Sequence, residues 1–254
     1  MKSVIAIILF TLTIPLTLSA SRYSDTIIHT VNVQFSYSRS IFPSSWLTAE
    51  INATGELILP WEINRTKLII KAALSKYPDS LLSKELRAVY FLRSMSMYHV
   101  GFGGTNSNDA VYLTNNGKEQ GYTDWYIEQT FHHEFSSILY RNYPFLLDTV
   151  AWKAANITGF DYNDPEGGVG AIRKNESSQK LDTTLCRLGF LSQYAYSGIE
   201  NDINSIAENL FKPVDGFWYV VNHFPRINEK VKLLIEFYYN INKVFTEAYF
   251  KKLN

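Results

Sequence analysis

The chain has 254 residues, with 24 Lys and Arg against 24 Asp and Glu, so its formal net charge is zero. Balanced, scattered charge excludes a nucleic-acid groove or a polybasic membrane patch. Cys186 is the only cysteine, which excludes an internal disulfide and any cysteine-cluster zinc site; between Leu185 and Leu188 it reads as a buried structural thiol.

The first residues read as an address. Lys2 supplies a positive start, Val4 to Leu18 is apolar around Pro15, and Leu18-Ser19-Ala20 ends in small residues. This is the pattern of a cleavable secretory signal over residues 1–20, cut after Ala20. The apolar run is short of the ~20 residues that span a bilayer, and no later stretch is apolar enough. The expectation is an exported, soluble protein, periplasmic or extracellular. Sequons at Asn52, Asn64, Asn156 and Asn175 carry meaning only in a eukaryotic host. The mature part, 21–254, reads as one α+β domain: a sheet and motif-helix half, 21–143, and a helical half, 144–254. Its aromatic content of 15%, with 17 Tyr and 16 Phe, supplies a sizeable core.

In chain order, residues 21–45 are polar and β-leaning (Ile27, Ile28, Val31, Val33), predicting an extended segment with one strand. From Asn64 to Lys76, Leu68, Ile69, Ala72 and Ala73 recur at helical spacing, and Pro78 stops the helix. Leu86 to Tyr98 reads as one or two strands. Residues 101–109, rich in Gly and Asn, read as a loop. Ala110 to Thr114 is a short strand before the Asn116-Gly117 turn signal. A helix then runs from about Asp124 to Arg141, with Thr123 as N-cap and Pro144 as stop. Phe145 to Asn156 reads as helical, 159–178 (with Asp164-Pro165) as a long loop, Ile199 to Phe211 as a helix, and Ile227 to Phe250 as one long closing helix.

The helix from Asp124 carries the chemistry. At ~100° per residue, Ile127, Phe131, Phe135, Ile138 and Leu139 share an apolar arc. Tyr126, Thr130, His133, Ser137 and Tyr140 lie opposite, with Glu134 at the margin; His132 points elsewhere, near Gln129 and Ser136. In helical zinc hydrolases two His one turn apart hold the metal, and the Glu after the first activates its water. Here Ser137 stands one turn after His133, where the second His belongs. On the motif alone, a capped or core-satisfied histidine is the competing reading.

The stretch Thr130-Phe-His-His-Glu-Phe-Ser-Ser-Ile-Leu139 resembles the motif of zinc-binding metallopeptidases exported by Bacteroidota. So do Gly189-Phe-Leu-Ser-Gln-Tyr-Ala195, Glu200 to Phe211, and the ending from Pro225. The resemblance runs from about Leu86 to the end. It implies a zincin-like α+β fold: a small mixed sheet, a backing helix and a motif helix, followed by a mainly helical C-terminal part. It also implies zinc held by His133 and Glu208, Glu134 as catalytic base, and a peptide or protein substrate. Ser137 departs from the pattern. Candidates to replace the lost ligand are His132, Asp202, Glu200, His223, His99, or a water held by Ser137 itself. The same resemblance supports a second reading: a catalytically degenerate scaffold kept for binding peptide, glycan or a partner protein.

Overall fold

The computed structural model describes residues 25–162 and 166–253. The signal-like segment and Asp164-Pro165 lie outside the described residues.

A short hairpin opens the fold: β1 (Thr26–Ile28) and β2 (Val31–Gln34) turn back through His29, whose φ of 54° is left-handed. The extended segment is therefore two strands. Two 3-10 turns, Arg39–Ile41 and Ser44–Leu47, follow, and then β3 (Thr54–Leu57), a strand not expected from its Thr-Gly-Glu-Leu composition. Helix α1 (Ile63–Leu74) buries Ile69, Ile70, Ala73 and Leu74 and leaves Leu68 in solvent. A further helix, α2 (Asp79–Glu85), starts directly after Pro78, whose fixed φ suits a helix N-terminus.

The sheet is organised around β4 (Ala88–Met97). Its first half pairs parallel with β2 on one side and with β7 (Ala110–Thr114) on the other; its second half pairs antiparallel with β3 and with β5 (Val100–Gly101). The edge strand β6 (Gly104–Asn106) pairs antiparallel with β7. The Gly-rich "loop" thus contains two strands. Glycine lowers β propensity on average, yet here it permits a close approach: a Cβ on Gly104 would lie 2.5 Å from Thr130 Cγ2 and 2.9 Å from Glu134 Oε1.

Helix α3 (Asp124–Asn142) is capped by Thr123, whose hydroxyl accepts from the Tyr126 amide at 3.1 Å. Its residues 127–139 are all buried, because α1, the sheet edge and a later helix enclose it on several sides. Beyond it lie α4 (Thr149–Ala154), capped by Asp148; α5 (Gly167–Arg173), inside the expected loop; and α6 (Thr183–Cys186). Then come α7 (Ile199–Phe211), α8 (Phe217–His223), α9 (Pro225–Ile241) and α10 (Glu247–Lys251). The closing helix is thus two. Asn242, extended at φ −151°, ends α9, and Thr246 caps α10 by accepting from the Tyr249 amide. Among the described residues no helix is long and apolar enough to cross a membrane.

The main core joins one sheet face to α1, α3, α7 and α9; a second cluster around Phe42, Tyr90, Met95 and Tyr112 covers the other face. Cys186 is buried, which pushes its thiol up to about 12.

Candidate functional site

Helices α3 and α7 run antiparallel, joined by a ladder of polar contacts. Gln129 Nε2 donates to the Lys212 carbonyl just past the end of α7 at 2.8 Å. One turn along α3, His133 Nδ1 donates to Glu208 Oε2 at 2.7 Å. The next turn brings Ser137, whose Oγ accepts from Asn204 Nδ2 at 2.7 Å. The last brings Arg141, whose Nη1 donates to Glu200 Oε1 at 2.9 Å. Each advance of four residues on α3 is matched by a retreat of four on α7, the spacing at which side chains share a helix face. This ladder accounts for His133 and Ser137 of the polar arc, while Thr130 Oγ1 is satisfied within α3 by the Tyr126 carbonyl at 2.8 Å; inside a helix pair, buried polar side chains are tolerated when they are hydrogen-bonded.

The His133–Glu208 rung is buried on both sides, at 4% and 3% exposure. Burial alone would push the His133 imidazolium down, but the hydrogen bond to Glu208 and the charges of Glu208, Glu134 and Glu200 outweigh it and hold it above its ordinary value. Burial raises the Glu208 carboxyl, opposed by His133. The Tyr194 ring lies over the imidazole at 6.0 Å between centroids. Beside the ladder, Glu134 takes a hydrogen bond from Asn106 Nδ2 at 2.6 Å, and burial raises its carboxyl against the pull of His133 and Asn106. Asn106 Oδ1 in turn accepts from Arg141 Nη2.

The other candidates lie elsewhere. His132 is fully buried on the far side of α3, stacked on Phe211 at 5.0 Å and bonded through Nδ1 to the Tyr77 hydroxyl at 2.9 Å, so it does not turn toward His133. Asp202 faces away from the ladder, bonded to Lys230 Nζ at 2.6 Å, Trp152 Nε1 at 2.8 Å and the Tyr162 hydroxyl at 2.5 Å. Glu200 is held by Arg141. His99 is an exposed turn residue at φ 63°, and His223 Nδ1 bonds the Tyr219 carbonyl within its own helix at 2.8 Å. None of them supplies the missing ligand.

His132 carries a stability consequence. Burial lowers its pKa to about 4, although Glu128 pulls the other way with Oε1 3.9 Å from Nε2; Lys76 and Lys212, both on Glu128, reinforce the lowering. A histidine held below its unfolded value near 6.5 contributes stability in full above that pH and loses it as pH falls toward 4. The full contribution is on the order of 3 kcal/mol. Urea midpoints of wild type and His132→Phe, which keeps the ring stack, should differ less at pH 4.5 than at pH 7.5. A constant difference across that range contradicts this.

Zinc in a hydrolytic site takes three protein ligands and keeps one position open. Among the described residues, no group of three or more His, Cys, Asp or Glu side chains is arranged to hold a metal ion. His133 and Glu208 converge, but they are bonded to each other, and the place of the second His is filled by a hydroxyl already bonded to an amide. The residues present do not fit zinc. Sequence reasoning missed Asn204, Asn106 and Gly104. Asn204 was discoverable in principle, since it precedes Glu208 by the spacing that separates His133 from Ser137; Asn106 was hidden inside an apparent loop.

No family model and no curated protein sequence matches the chain. Among solved structures, a Bacteroides caccae protein described as a zinc-binding metallo-peptidase superposes with a TM-score of 0.50 at 15% identity, over 76% of this chain and 75% of that one. At that identity the likeness speaks for architecture. The mixed sheet, the motif helix and the helical C-terminal part together form a zincin-like α+β fold.

Proposed function

We propose that this chain is a zincin-fold binding protein in which the metal position has become a polar helix–helix lock, so that it acts without metal and without hydrolysis. One observation carries this: Asn204 donates to Ser137 at 2.7 Å, in the place where the second metal-binding histidine of the resembled peptidases would stand. A serine hydroxyl is a poor zinc ligand, and this one is already engaged. The remaining His133–Glu208 rung has the form of the imidazole–carboxylate pair that supports metal sites from outside, here serving the helix pair itself.

The hydrolase reading has one observation in its favour. His133, Glu208 and Glu134 are brought to one buried locus, and Glu134 is the residue that would activate water. The two readings part on a simple test. For the binding protein, 1,10-phenanthroline leaves the melting temperature unchanged, and a peptide library is cut no faster by the wild type than by Glu134→Gln. Cleavage that disappears in Glu134→Gln, or a chelator-induced fall in melting temperature, overturns the binding reading in favour of the hydrolase.

A further inference from the structure

A cavity of about 600 Å³ opens beside the ladder, between the segment around Trp46 and the β6–β7 edge. Asn106 stands in its wall and bonds Glu134 from there. The size falls within the roughly 300–1,000 Å³ of small-ligand sites. We propose that this cavity binds a neutral saccharide; the proposal rests on the binding-protein reading and gives it a ligand class.

Three observations converge. The first is an aromatic wall: the half-buried Trp46 indole packs, tilted, against Tyr112 at 5.4 Å and Phe42 at 6.3 Å between ring centroids, and all three rings line the cavity, giving it an aromatic face. Such a face suits a ligand with an apolar surface and polar edges. The second is directional donors without net charge. Arg87 is bidentate to Asp109 through Nε at 2.8 Å and Nη2 at 3.2 Å, with Nη1 donating to the Tyr90 hydroxyl at 3.3 Å. Arg141 is matched by Glu200. A guanidinium carries five N–H groups in a rigid fork, so Arg87 keeps two beyond these three bonds.

The third is the pairing of opposite capacities. The Asp109 carboxylate lies beside the Arg87 fork, and both line the cavity. A ring hydroxyl pair both donates and accepts, and so satisfies a neighbouring carboxylate and guanidinium together. A free carboxylate or phosphate would instead require a guanidinium whose charge is unmatched. Both arginines here have carboxylate partners.

The test uses residues 21–254 in buffer with EDTA, titrated calorimetrically with maltotriose, cellotriose, mannotriose and chitotriose, and with sialyllactose and trialanine as the acidic and peptide arms. The proposal expects at least one neutral trisaccharide to bind. It expects Trp46→Ala to weaken that binding roughly three- to tenfold, and the exposed-site variant Arg87→Gln to weaken it also while leaving the circular dichroism spectrum unchanged. Binding of none of the neutral sugars, binding only of sialyllactose or trialanine, or sugar binding indifferent to both variants overturns it. Tightly held zinc would sink the binding-protein reading while leaving sugar binding to be judged on these titrations.

Discussion

Ser137→His combined with Asn204→Ala will turn this chain into a zinc-binding protein. The ladder places position 137 one turn from His133 on the face that meets α7. An imidazole there would join His133 and Glu208, giving the three protein ligands that a zinc site with an open position requires. Asn204 has to be shortened because it now occupies the space next to Ser137, packed at 1% exposure. With zinc at about a hundred times its Kd, linkage adds roughly 2.7 kcal/mol of stability, which corresponds to a rise on the order of 5–10 °C in melting temperature for a chain of this size. A thermal melt with and without zinc reads it directly. The wild type should show no such rise. If the double variant folds and zinc leaves its melting temperature unmoved, the position of the latent metal site has been misassigned.

The second large effect lies away from the ladder. Lys230 and Asp202 are both fully buried, and Lys230 Nζ also donates to the Gly189 carbonyl at 2.5 Å, under the ring of Phe190 at 4.4 Å. The pair ties α7 and α9 to the turn at Gly189. Burial raises the Asp202 carboxyl against Lys230, and lowers the Lys230 ammonium against Asp202. Lys230→Met will cost about 3–5 kcal/mol, because it leaves a buried carboxylate without its partner. Asp202→Asn with Lys230→Met should recover much of that loss.

The pH dependence has a definite sign. Without Lys230 the carboxyl has a folded pKa above its unfolded one, so its favourable contribution is present at low pH and fades as pH rises through the folded value. The deficit of Lys230→Met relative to wild type should therefore be larger at pH 8 than at pH 5. Urea unfolding at the two pH values checks it; a deficit below about 1 kcal/mol would mean that the site is solvated when unpaired.

The helices with strong periodicity were legible from sequence. Thr123 and Pro144 bracket α3, and α7 spans Ile199–Phe211 as its sequence predicts. What was not legible came from tertiary neighbours. Gly104 belongs to a strand because it pairs with Leu113 of β7, and it is a glycine where Thr130 and Glu134 approach so closely that a side chain would collide with them. The apolar pattern runs on past Asn242, but the backbone is extended there and a new helix starts four residues later with Thr246 as its cap.

At the site, the sequence pointed to His133 and Glu208 through resemblance, and the structure puts them 2.7 Å apart. The resemblance had no means of naming Asn204. A single asparagine on a helix is an ordinary surface residue until a second helix is laid against it. Once that is done, Ser137 has a partner, and a departure from a motif is seen as one rung of a continuous polar contact.

The most direct test is the zinc content of the unaltered protein. Residues 21–254 are to be incubated with equimolar zinc, passed through a desalting column and measured by elemental analysis beside Glu208→Ala. The lock between α3 and α7 predicts zinc far below one ion per chain in both. One zinc per wild-type chain, lost in Glu208→Ala, would show that His133 and Glu208 hold metal despite Ser137 and would contradict the account.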